Sequence, residues 1–149
     1  MKKWMLSALT MCLLLASACR SMPTEMPDWG ITLTTENVTA GGCTLVCTQS
    51  GGGAQGTFST GLAFFLAREG ENGFEEIPTS QEYSVPALGI GIPREKTVRW
   101  DLTWEHMYGA LPPGNYRVCK VIDRSDPVDR TRSTCTFWAE FNIAEEEMP

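Results

Sequence analysis

Six cysteines, one histidine and eighteen Asp and Glu residues are the side chains of this 149-residue chain that could carry metal, redox or acid-base chemistry. Cys43, Cys47, Cys119 and Cys135 would need the fold to gather them. Structural zinc sites draw their ligands from tight knuckles. A Cys43-x-x-x-Cys47 spacing on an extended stretch splays the two thiols, and His106 is the only histidine, so neither a metal nor a cofactor is expected. Hydrolysis meets the same shortage. A serine or cysteine nucleophile would need His106 as its base, and no serine stands in a Gly-x-Ser-x-Gly elbow. Glu75, Glu76, Asp123, Asp126 and Asp129 fall in predicted hairpins and loops, where acids are normally solvated. No residue is assigned a catalytic role, and a non-enzymatic function is expected.

Disulfide formation is the remaining chemistry of the four internal cysteines, and it is permitted outside the cytoplasm. Four residues of extended strand separate Cys43 from Cys47 by roughly 13 Å. A bridge tolerates a Cα separation of only about 7 Å, so these two do not pair on a regular strand. Cys43 could then join Cys119 or Cys135 and Cys47 the other, or one bridge could leave two free thiols. One disulfide is expected ahead of two, and four reduced thiols packed as small apolar groups are the third state. Alternation puts Cys119 on the face opposite Tyr116 and Val118, and Cys135 on the face of Phe137.

Cys19 belongs to a different chemistry. The chain opens with Met1-Lys2-Lys3, runs apolar through 4–15 and reaches Ala16-Ser17-Ala18-Cys19. A positive start, a short hydrophobic core and small residues at the cut are the order of a secretory signal. The core is well below the roughly 20 apolar residues a membrane span needs. A cysteine directly after the cut resembles the lipobox of bacterial lipoproteins, in which the thiol is diacylated. Each buried acyl methylene contributes about 0.8 kcal/mol, so two or three chains anchor stably. The expected organisation is a signal peptide over 1–18, a tether over 19–28 with Cys19 lipidated, a domain over 29–144 and an acidic tail over 145–149. The expected address is extracytoplasmic, lipid-anchored to a bacterial membrane. A formal net charge of −6 argues against nucleic acid as a partner, which requires clustered Lys and Arg.

The elements that must position these residues read as strands, because the apolar pattern has period two. Ile31, Leu33 and Thr35 define a first strand, and Cys43, Leu45 and Cys47 a second. A third is expected over 62–68, with Glu71-Asn72-Gly73 turning into a fourth over 74–77. Prolines and glycines over 78–95 leave room for one short edge strand through Leu88, Ile90 and Ile92. Val98, Trp100 and Leu102 share the buried face of the next strand. Trp104 to Gly109 suits a single helical turn closed by glycine. The last two strands are expected over 115–123 and 133–143. In the final one Trp138 falls on the polar face, which makes it the candidate exposed aromatic contact. Leu111-Pro112-Pro113-Gly114 followed by Tyr116 resembles the tyrosine corner of Greek-key sandwiches, in which the phenol bonds upstream backbone.

Leu45 to Gly52, Trp104 with Tyr108-Gly109, Leu111 to Arg117 and Ala139-Glu140-Phe141 together resemble a family of bacterial Ig-like domains found in small lipoproteins. The resemblance spans Gly30 to Ile143. It implies an all-β, immunoglobulin-like Greek-key sandwich of about seven or eight strands, and it implies no catalytic or binding residues. Bulky apolar residues occupy the family's positions of Cys43 and Cys47, which argues against cysteine chemistry as a shared function. The function expected is an adhesion or interaction module whose partner is an extracytoplasmic protein or envelope polymer. The alternative is a peptidase inhibitor using the loops 50–56, 78–94 and 124–132.

Overall fold

Period-two strands with one apolar face are stable only when two such faces close on each other. The computed structural model describes residues 22–79, 85 and 88–145. Its elements are β1 (Ile31–Thr39), β2 (Gly42–Gln49), β3 (Thr57–Thr60), β4 (Phe65–Gly70), β5 (Gly73–Glu76), β6 (Ile90–Ile92), β7 (Lys96–Thr103), α1 (Glu105–Tyr108), β8 (Gly114–Asp126) and β9 (Thr131–Ile143). One sheet has the order β1-β2-β7. The other has the order β5-β4-β8-β3-β6, with β9 paired along β8. All pairings are antiparallel. The described residues thus form the expected all-β sandwich.

The core lies where the inner faces meet. Leu45 and Cys47 of β2, Leu66 of β4, Tyr116, Val118 and Ile122 of β8 and Phe137 of β9 are fully enclosed. Aromatic rings fill both ends. Trp29 lies 5.8 Å from Phe58 and 5.4 Å from Phe137. Phe141 lies 5.4 Å from Trp104 and 5.5 Å from Tyr116. Such ring pairs contribute about 0.5–1.5 kcal/mol beyond the area they bury.

The strand expected over 62–68 is not continuous. Thr57–Thr60 and Phe65–Gly70 both run antiparallel to β8, Thr60 opposite Ile122 and Phe65 opposite Cys119. Only Lys120 and Val121 lie between those partners, so the four residues 61–64 have two to pair with and arch away from the sheet. The hairpin after β4 pairs Gly70 with Gly73, so its turn is Glu71-Asn72, and Gly73 opens β5 at φ 101°.

Candidate functional site

The residue in the sandwich whose chemistry is least expected is Lys120. Strand parity sets it on the inner face of β8 with Tyr116, Val118 and Ile122, and only 2% of its surface is exposed. Its amine reaches under the arch and donates to the carbonyls of Gly61 (2.5 Å) and Ala63 (3.0 Å). The Trp100 ring of β7 lies 5.3 Å away. Burial pulls the amine down to about 8, against a smaller upward influence of Cys47. No carboxylate pairs with it among the described residues.

A cleft of about 460 Å³ opens beside this amine, between the two sheets. Trp100 and Leu102 of β7 form one wall, and Leu62, Phe64 and Ile90 the other. Arg99 and Asp101 enter the lining along the outer edge of β7, the terminal strand of its sheet. The Arg99 side chain pairs with Glu36 and that of Asp101 accepts from Thr44 Oγ1 at 2.8 Å, both on the sheet's outer face. Leu62 is the exposed apolar residue of this lining.

Cys43, Cys47, Cys119 and Cys135 are unbridged, the third of the states weighed for them and not the single disulfide placed ahead of it. Cys43 and Cys47 face inward from β2, and Cys135 packs against the same core from β9. Cys119 points to the outer face of β8, opposite Phe65 and Trp138. A bridge from Cys119 to the core thiols would have to pass through its own sheet. Burial pushes the thiols of Cys43 and Cys47 up to about 11 and that of Cys119 to about 12. Thiols held so far from ionisation are poor nucleophiles and poor metal ligands. No group of three or more metal-ligating side chains occurs among the described residues.

Trp138 is the second correction, since it is 7% exposed rather than an open contact. Alternation does set it on the outer face, but Arg117 from the neighbouring strand covers it, its guanidinium 4.6 Å from the Trp138 ring and 3.9 Å from Phe74. Glu140 holds the guanidinium in place through Nε at 3.0 Å and Nη2 at 2.7 Å. Cys19 lies outside the described residues.

The remaining candidates build the two ends of the sandwich. Tyr116 donates its hydroxyl to the Pro112 carbonyl at 2.5 Å, the bond of a tyrosine corner. Trp104 Nε1 and the Leu111 amide both donate to the Ala40 carbonyl, at 2.8 and 2.9 Å. The Leu66 amide donates to Tyr108 Oη at 3.3 Å. Arg68 donates to the Pro113 carbonyl at 3.1 Å. These contacts brace the turn 40–41, the hairpin turn 71–72 and the segment 105–113 at one end. The chain enters at the other. There Gly30 and Gly52 approach so closely that a Cβ on Gly52 would stand 2.4 Å from the Gly30 nitrogen. Arg94 donates to the carbonyls of Ala54 and Gly56, Arg124 to that of Gln55, and Glu95 accepts from the Gly51 amide.

A family model described as a bacterial Ig-like domain matches residues 27–142, which takes in all nine strands but the final residue of β9. No curated protein and no solved structure matches the chain.

Proposed function

The chain belongs to the bacterial Ig-like domain family, and from that premise we propose that it is a non-enzymatic interaction module, lipid-anchored through Cys19 on the extracytoplasmic side of a bacterial membrane. The observation that carries this reading is the polarity of the sandwich. The chain enters beside Trp29, and the braced turns 40–41 and 71–72 and the segment 105–113 stand at the far end, with Glu105, Ala110, Pro112 and Pro113 exposed there. A tether at Cys19 leaves only eight residues between it and Asp28, so the far end faces away from the bilayer. An extracytoplasmic protein or envelope polymer meets that end first.

The same polarity weighs against peptidase inhibition through the loops 50–56 and 124–132. Both lie at the entry end, on the bilayer side of the domain, and 50–56 is clamped by Arg94, Glu95 and Arg124. Photo-crosslinking residues introduced at Glu105 and Pro112, and separately at Gln55 and Asp129, test the reading in intact cells. Discrete adducts from the first pair and none from the second are expected. Adducts only from the entry end would overturn it.

A further inference from the structure

The geometry points to the Lys120 cleft as a binding site for a small apolar carboxylate. An ammonium carries three hydrogen-bond donors, and the carbonyls of Gly61 and Ala63 occupy two of those on Lys120. Carbonyls and the Trp100 ring supply dipoles and π density but no countercharge. A buried charge without an ionic partner is costly, and a ligand that brings the opposite charge relieves that cost. The arch 61–64 holds the amine against the cleft, whose lining takes in Lys120 together with Leu62 and Phe64.

The walls specify the rest of the ligand. Leu62, Phe64 and Ile90 oppose Trp100 and Leu102, an apolar slot with one charged group, the composition of small-ligand sites. Its volume of about 460 Å³ accommodates a short acyl or aromatic group. The other charged and titratable groups of the lining are Arg99, Asp101 and His106. Arg99 and Asp101 are engaged by Glu36 and Thr44 on the outer face, which leaves Lys120 on the inner face of β8 and His106 of α1 as the basic groups of the lining. This site shares His106 with the braced segment 105–113 and does not involve the proposed anchor at Cys19.

Isothermal titration calorimetry of the full chain with 3-phenylpropionate and with its neutral amide tests the inference. The acid should bind saturably and roughly ten-fold or more tighter than the amide, the difference of one charge-assisted hydrogen bond. Lys120→Met, close in shape and uncharged, should bind both probes equally. Leu62→Glu, a change at a partly exposed position of the apolar wall, should weaken both probes and the acid several-fold more than the amide, and it serves should the first variant not fold. Equal affinity of wild-type chain for acid and amide, or no binding of either, overturns the inference. So does an acid preference that survives in a folded Lys120→Met chain.

Discussion

Lys120 and the enclosed thiols give the domain opposed dependences on pH. In the unfolded chain Lys120 titrates at its ordinary 10.5, and in the fold at about 8. Between those values the unfolded chain holds a proton that the folded one has released, so stability rises with pH across that window. The thiols act in the other direction. Cys43 and Cys47 move from 9.0 to about 11 and Cys119 to about 12, so above 9.0 the folded chain holds protons that the unfolded chain has lost. Stability contributed by the thiols is therefore lost as pH climbs past that point. Urea denaturation across alkaline pH should show a rise beginning at about 8 and then a fall. Lys120→Met should abolish the rise and keep the fall; a wild-type chain with no rise at all would contradict this account. Tyr116→Phe removes a fully enclosed hydroxyl from the Pro112 carbonyl, and an unfolding free energy lower by roughly 1–2 kcal/mol is expected in the same assay. Parity along 115–123 sets Cys119 opposite Tyr116 and Val118, and the same alternation carries Lys120 to their side, where residue type gives no sign of a buried lysine. What parity could not supply was the amine's partners, because the Gly61 and Ala63 carbonyls reach it only through the arch.

At the scale of elements, strands were legible where alternation ran long enough to show a face, as in β1, β2, β7 and β9. The break between β3 and β4 was not, because it arises from a mismatch between two segments far apart in sequence. Phe58 and Thr60 also alternate over too few residues to mark a strand unaided. Trp138 shows the same limit: alternation gave its face, but its cover is Arg117, one strand away. Turns follow local chemistry more closely. Asp126 Oδ1 accepts from the amides of Val128 and Asp129, and its Oδ2 from Arg124 at 2.8 Å, fastening the β8–β9 turn. Asp126→Ala should destabilise the domain by roughly 1–3 kcal/mol, since it strips a buried acceptor from several donors at once. Amide hydrogen exchange should then quicken first in 125–132. Gly52→Ala meets the Gly30 backbone at a φ of +81°. A loss of roughly 1–3 kcal/mol is expected in thermal or urea melts, and an unchanged melt would show that loop 50–56 is not held as described.

At the scale of the whole molecule, the fold class and family were readable because they depend on many weak signals that agree: strand period, turn spacing and the segment from Leu111 to Tyr116. The cleft was not readable, since its walls come from both sheets. For the proposed anchor, Cys19→Ser should move the protein from the membrane fraction to the aqueous one. Its melting behaviour should stay unchanged, because the substituted atom lies ten residues before Trp29 and the aromatic pair it starts. Membrane retention of that variant would remove the anchor from the proposal.

The opposition of the two ends also sets how the domain would bear a load. Tension applied between the entry at Trp29 and a ligand held at the far turns runs nearly parallel to the strands. The ladder joining β1 to β2, seven residue pairs with one irregularity between Glu36 and Thr39, would be strained in shear, with its bonds sharing the force. The β8–β9 ladder, thirteen residue pairs from the 127–130 turn at the entry end to Ile143 at the far end, runs along the same direction. If the proposed anchor and a ligand held at the far end pulled against each other, the force would therefore run along the strands and be shared by their ladders.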